Sequence, residues 1–345
     1  MASTRRFFLK ATVGAAAGLL FPSSIIPAES PSRERTQQFV WNPQYSFEWA
    51  HHFPYNVLTA MHPSPVDKYQ LLFDQLRSSG IINQGKVRES APLREEDFLQ
   101  VHSSQYLHRL ERLAETISGL LNGGDILTPQ VLDFVKASCA GTYDAAVRAL
   151  SSGRAMNLSG GFHHAFPNHE EGFCHLNDVA VAIRKLQRER KVKKVMIVDL
   201  DVHHGNGNAF IFQTDPTVFT FDIYQEDNYP GVKYPVDCPV PLKSSEGIDD
   251  GRYVSELRTH LRPSLERFQP NLVFFLAGAD PFKDDRLGGF QLTHDGLKER
   301  DCYVLNTTKS MGIPTAVVLG GGYAENIEDT VRVHYNTARI VAGRS

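Results

Sequence analysis

Residues 198–207, VDLDVHHGNG, hold an unusual density of ionisable side chains. Asp199, Asp201 and His203 fall at every second position, His204 follows, and Gly205 and Gly207 flank Asn206. The apolar run VMIV at 195–198 predicts a buried strand leading into them. On an extended backbone, positions two apart point the same way, so Asp201 and His203 aim together. Asp280, in AGAD at 277–280, adds a second carboxylate from another strand end. Two carboxylates and one imidazole, with coordination positions left open, suit a catalytic divalent cation. Zinc is the default occupant; Fe(II) competes for this ligand set. Any one of these residues alone would more simply cap a turn or join a core ion pair. Their convergence favours metal.

A second cluster lies in GGFHHAFPNHEEGFCHLND at 160–178. Gly160 and Gly161 let backbone come close to a neighbour just before adjacent His163 and His164. Paired loop histidines can pass protons, bind metal, or simply sit at a surface; the residues alone leave this open. Gly320-Gly321-Gly322-Tyr323 reads as a loop carrying a phenol O–H towards a substrate.

The elements that must position these groups are legible. VMIV at 195–198, VFTF at 218–221, LVFFLA at 272–277 and TAVVL at 315–319 are apolar runs without polar alternation. Such runs suit parallel strands buried on both faces. Helices are predicted between them. Thr128-Pro129 opens one that SSG at 151–153 closes. Leu107, Leu110, Leu113 and Ile117 mark another over 105–121. Asn177 caps a third running to about Arg190, with Ala180, Ile183 and Leu186 buried. Alternating strands and helices imply an α/β fold, an open parallel-sheet three-layer sandwich. Asp199, Asp201 and His203, then Asp222, Asp280 and Tyr323, follow the four runs in turn. In open parallel sheets, sites form beyond the carboxyl ends of strands.

Composition sets the outer limits. The chain has 345 residues, 41% hydrophobic and 22% charged, with net charge -3. These values suit a globular protein and give no basic field, so no nucleic-acid partner is expected. Cys139, Cys174, Cys238 and Cys302 form no CxxC pair; Cys174 reads as a small packed residue, and Cys139 and Cys302 as helix-face core. An oxidising compartment would permit a disulfide, but the spacing gives no pairing.

Thr4-Arg5-Arg6-Phe7-Phe8-Leu9-Lys10, an apolar stretch from about Ala11 to Ile26, and Ala28 have the layout of an export signal. Arg5-Arg6 resembles the twin-arginine type. The short apolar length and the flanking prolines disfavour a permanent membrane anchor. The expected organisation is an export signal over 1–28, a polar linker over 29–38 and one domain over 39–342. The mature protein is expected in the periplasm or outside the cell, with no stable membrane insertion.

GGFHHA, GFCHLND, VDLDVHHGNG, LAGAD and GGGY, in this order, resemble the zinc-dependent histone deacetylase family, in particular its class IV branch and bacterial relatives. HPSPVDKY at 62–69 and VHSSQYLHRL at 101–110 are similar to its N-terminal region, so the resemblance covers about 45–335. It implies the arginase/deacetylase fold with about eight parallel strands. It implies that Asp201, His203 and Asp280 hold the metal, that His163 and His164 are proton-handling residues and not ligands, and that Tyr323 hydrogen-bonds the amide oxygen. It assigns Asp199 to orienting His163, and Gly172, Phe173, Tyr229 and Leu287 to the substrate tunnel. Asp199, Asp201, His203 and Asp222 would hold a monovalent cation, with K+ the expected ion. Two departures stand out: Asn206 replaces an Asp behind His164, and Asp222 replaces a frequent Ser. An Asn carbonyl can still accept the His164 N–H, but without the negative charge.

The function implied is hydrolysis of an N-acyl amide such as acyl-lysine or an acetylpolyamine. Glu226, Asp227, Asp284 and Asp285 are candidate acidic groups near an entrance, as a polyamine would require. The alternatives are a ureohydrolase on the same fold, which typically uses two metals and more carboxylates, and a non-catalytic acyl-amine binding protein.

Overall fold

A computed structural model describes residues 38–46, 66–82, 87, 89–116 and 127–344. The expected export signal, and the linker save its last residue, lie outside the described residues.

In chain order the elements are β1 (Phe39–Val40), α1 (Lys68–Ser78), α2 (Glu95–Phe98), α3 (Ser104–Ala114), α4 (Pro129–Ser152), β2 (Arg154–Asn157), α5 (Asp178–Arg188), β3 (Val195–Asp199), α6 (Asn206–Phe212), β4 (Val218–Gln225), β5 (Cys238–Leu242), α7 (Asp250–Phe268), β6 (Leu272–Leu276), α8 (His294–Ser310), β7 (Thr315–Val318) and α9 (Ile327–Val341). The described strands form one seven-stranded sheet, ordered β1-β2-β7-β6-β3-β4-β5. Every pairing is parallel. This is the three-layer α/β sandwich expected, of the arginase/deacetylase type.

The apolar runs work as predicted because successive strand residues feed opposite layers. Val195 and Ile197 of β3 pack with Val179, Ile183 and Leu186 of α5. Met196 and Val198 join the core that includes Leu257 and Leu261 of α7 and Val304 of α8. All five residues of β3 and all five of β6 are buried. β5 escaped prediction: CPVPL alternates in burial and carries Pro239 and Pro241, which suits its place at the sheet edge.

The caps hold. The Thr128 side chain accepts from Val131 N, and the Asn177 side chain from Ala180 N. The helix expected over 105–121 ends at Ala114 in the structure, and 117–126 lie outside the described residues. Cys139 and Cys174 are buried and Cys302 is half-buried against the core; none of the four cysteines is joined in a disulfide. Among the described residues no helix is long and apolar enough to cross a membrane.

Candidate active site

The loops after β2, β3, β6 and β7 meet at one end of the sheet. β3 lies between β4 and β6, so the loops carrying Asp201 and Asp280 start side by side. Asp201, His203 and Asp280 are buried, and one donor atom from each lies within 4.8 Å of the others. His203 Nδ1 is 3.0 Å from Asp201 Oδ1 and 3.2 Å from Asp280 Oδ2. The backbone fixes the carboxylates' other oxygens: Gly321 N donates to Asp201 Oδ2 at 2.6 Å, and Val202 N to Asp280 Oδ1 at 2.9 Å.

Glycines make the room. A Cβ on Gly321 would stand 2.0 Å from Asp280 Oδ2, and one on Gly278 2.8 Å from Asp201 Oδ2. Arg300, fully buried, donates through one terminal nitrogen to Leu200 O at 3.1 Å and Gly278 O at 2.7 Å, bracing both ligand loops. Burial and the Asp201 carboxylate push Asp280 up to about 7. For His203, burial alone would lower the pKa; its bonds to Asp201 and Asp280 prevail and raise it to about 10. A proton is thus held tightly among three donors, which is where a cation would bind in its place. The donor chemistry and the glycine-lined space fit a divalent metal.

The tandem histidines sit beside this cluster. Their ring centroids are 4.0 Å apart, and His164 lies 6.0 Å from His203. His163 Nδ1 bonds Asp199 Oδ2 at 2.8 Å, and His164 Nδ1 bonds Asn206 Oδ1 at 2.6 Å. These two partners push the pair apart. For His163, burial opposes the charge but the Asp199 and Asp201 carboxylates outweigh it, raising the pKa to about 9. For His164, burial, then His163 and His203, hold the imidazole well below its usual value. The carboxylates thus favour the charged form of His163, and burial favours the neutral form of His164.

Tyr323 is buried, its ring 6.2 Å from that of His203. Burial keeps its phenol protonated. Its loop is pinned from both sides. Tyr323 N donates to Asp285 Oδ2 at 2.6 Å, and the buried Lys68 Nζ donates to Gly320 O at 3.1 Å. Burial lowers Lys68 to about 8.

Of the expected tunnel residues, Gly172, Phe173 and Tyr229 lie against these groups. Gly172 and Phe173 both take left-handed backbone, with φ of 54° and 65°. The Phe173 ring lies 6.1 Å from Tyr323. Tyr229 stands edge-on to His164 at 5.0 Å and is 39% exposed. Leu287, half-buried, accepts from Asn228 Nδ2 through its carbonyl at 2.7 Å, tying it to the Tyr229 loop.

Two sequence readings need correction. Asp222 does not follow its strand; it lies inside β4, directly beside Asp199 of β3. Its Oδ2 accepts from His204 Nδ1 at 2.6 Å and Gly205 N at 3.0 Å, while the buried Oδ1 has no protein partner. Asp285 is no entrance acid: it is buried and accepts from the backbone N–H groups of Leu287, Gly288 and Tyr323. Asp227 is exposed, but its carboxylate caps Ser244. The residues missed were Lys68, Arg300 and Glu171. Glu171 accepts from both Asn206 Nδ2 and the Tyr229 hydroxyl.

The chain is 40% identical over 274 residues to an uncharacterised protein of Picosynechococcus, covering 79% of this chain and 90% of that one. It is 30% identical to histone deacetylase 2 of Arabidopsis thaliana, covering 77% and 70%. It is 29% identical to a histone deacetylase-like amidohydrolase of Pseudomonas aeruginosa, covering 77% and 73%. The crystal structure of the HDA15 HD domain superposes with a TM-score of 0.74 at 21% identity, covering 89% of each chain. A family model described as the histone deacetylase domain matches residues 62–338, and by this match the chain belongs to the histone deacetylase family.

Proposed function

We propose that the protein is a single-metal deacylase that hydrolyses an N-acyl amide of a primary amine. The observation that carries this reading is the meeting of Asp201, His203 and Asp280 with the tandem histidines, each bonded to its own partner, and a buried phenol. Zinc, or Fe(II), held by the three ligands would supply Lewis acidity towards the acyl oxygen and a water molecule.

The chain's own groups then divide the work. His164 is the general base. The Asn206 oxygen accepts from both His164 Nδ1 and Gly207 N, so His164 carries its proton on Nδ1 and leaves the Nε2 lone pair free. Nε2 takes the proton of the attacking water and passes it to the departing amine. His163, bonded through Nδ1 to Asp199 at 2.8 Å, would when protonated supply positive field beside the developing negative charge. Tyr323 donates its O–H to the oxyanion. Gly172, Phe173, Tyr229 and Leu287 form the walls along which the acyl-bearing chain lies.

Asp199 and Asp222, side by side on β3 and β4, together with Asp201 and His203, would hold K+. The unpartnered buried Oδ1 of Asp222 supports this. The one convergent ligand set among the described residues favours one divalent cation over the two of a ureohydrolase. Acyl-lysine peptides are the leading substrates. The inward turn of Asp285 and the capping role of Asp227 weaken the case for a polyamine. Arg5-Arg6 and the apolar stretch behind them support export to the periplasm or beyond, tested by fractionating cells that carry an Arg5→Lys/Arg6→Lys variant.

The test is turnover of a fluorogenic acetyl-lysine peptide, acetylpolyamines and agmatine by zinc- and iron-loaded enzyme, with metal counted per chain. One metal and chelator-sensitive amide hydrolysis are expected. Two metals with turnover of agmatine would overturn the proposal, and tight binding of the acyl amide without hydrolysis would make the protein a receptor.

A further inference from the structure

Asn206 replaces the acid that the resemblance leads one to expect behind His164, and its amide is committed at both ends. Oδ1 accepts from His164 Nδ1 at 2.6 Å and from Gly207 N at 3.1 Å. Nδ2 donates to Glu171 Oε1 at 2.9 Å. The same Glu171 oxygen accepts the Tyr229 hydroxyl at 2.7 Å. The second carboxylate oxygen lies 3.7 Å from His169 Nε2.

Glu171 is itself held firmly. Its N–H and C=O both bond Cys174, at 3.3 and 2.9 Å, closing the turn that puts Gly172 and Phe173 in left-handed backbone. Gly172 within this turn lies so close to His164 that a Cβ there would stand 2.3 Å from the ring. A single turn therefore touches the base, the group behind the base, and one aromatic wall.

An ionised carboxylate only accepts hydrogen bonds, whereas an amide can be turned end for end. With Glu171 in place, Asn206 must direct nitrogen to Glu171 and oxygen to His164. That orientation fixes the His164 proton on Nδ1. We propose that Glu171 is a positioning residue for this active site: its carboxylate locks the Asn206 amide behind His164 and ties the Tyr229 wall to the same point. The negative charge missing at position 206 is present one residue further out. This rests on the deacylase reading only where turnover is the readout.

The pairing has a strict corollary. In Asn206→Asp an acceptor oxygen replaces Nδ2 at 2.9 Å from Glu171 Oε1, so two carboxylates confront one another. Asp at 206 is therefore tolerated only if Glu171 loses its charge. The experiment is the four-member cycle of wild type, Glu171→Gln, Asn206→Asp and the double variant. It is read as kcat/KM on an acyl-lysine peptide and as Tm of the metal-free proteins. Asn206→Asp is expected to lose about tenfold or more in kcat/KM and about 2–4 °C in Tm. The double variant should regain most of both losses. Glu171→Gln alone should lower kcat several-fold, whereas Tyr229→Phe should mainly raise KM. Additive losses in the double variant, or a Glu171→Gln enzyme equal to wild type, would overturn the proposal. If no acyl amide is turned over, the deacylase reading fails while the Tm cycle still judges the Glu171–Asn206 pair.

Discussion

Replacing Gly321 by Ala tests the metal site without touching a ligand. The added Cβ would stand 2.0 Å from Asp280 Oδ2 and 2.7 Å from Asp201 Oδ2, where ordinary contact begins at 3.4 Å. Asp280 Oδ2 must therefore retreat by roughly 1.4 Å, whereas metal–ligand distances tolerate only about 0.2 Å. Asp280 has nowhere to go: it is fully buried, and Val202 N holds its other oxygen. Gly321 is not among the positive-φ glycines, so the effect is steric and not one of backbone strain. Disturbing the partners of a ligand typically costs 10–100-fold in metal affinity. Displacing the ligand itself should cost about 100-fold or more. The assay is competition for zinc against a chromophoric chelator, beside the cobalt spectrum of both proteins. Gly251→Ala is the control, because that exposed glycine opens α7 and its Cβ would have only Asp249 Oδ1 nearby, at 3.7 Å. Wild-type zinc affinity in Gly321→Ala would show that Asp280 is not a ligand and that the site has been misread.

Tyr323→Phe should lower kcat by about 10²–10³-fold while metal content stays whole; loss of metal instead would contradict its role as an oxyanion donor, and paired turnover and metal assays decide. His102 should shape acid stability. Its Nδ1 lies 3.0 Å from Phe166 O and its Nε2 accepts from Asn177 N at 3.1 Å, a neutral tautomer. Burial lowers its pKa from 6.5 to about 4. Because the folded state disfavours the charged form, its contribution is complete above pH 6.5 and is lost as pH falls towards 4. The loss is about 3 kcal/mol, and urea titrations across that window should lose this slope in His102→Gln. K+ should raise Tm, adding about 2.7 kcal/mol at one hundred times its Kd; Asp222→Asn should abolish that gain and leave zinc binding unchanged, as thermal melts in K+ and in a large organic cation would show.

The parts legible in the sequence were those governed by local pattern. Unbroken apolar runs gave four central strands because both faces of the sheet are covered. Thr128 and Asn177 gave helix starts because a cap needs only its own chain neighbours. The candidate ligand cluster was visible because Asp201 and His203 share a strand-end spacing, and the family resemblance proposed roles that spacing left open. What stayed hidden depends on distant partners. Glu171 reaches Asn206 and Tyr229 across 35 and 58 residues, and nothing near EEG signals either contact. Lys68 meets Gly320 across 252 residues. Asp285 had a local signal, overlooked: an Asp just before Leu287-Gly288 turns its carboxylate onto their N–H groups.

The strand order has a consequence for how such an enzyme comes into being. β7, last of the described strands in the chain, is the keystone of the sheet: β2 and β6 are joined only through it. The tandem histidines hang from the β2 side of that seam, and the acidic ligands from the β6 and β3 side. A nascent polypeptide released from the ribosome before Thr315 would own both halves of the machinery with no strand to unite them. Competence therefore waits for the segment from Thr315 to Tyr323, which completes the arch and delivers the phenol together.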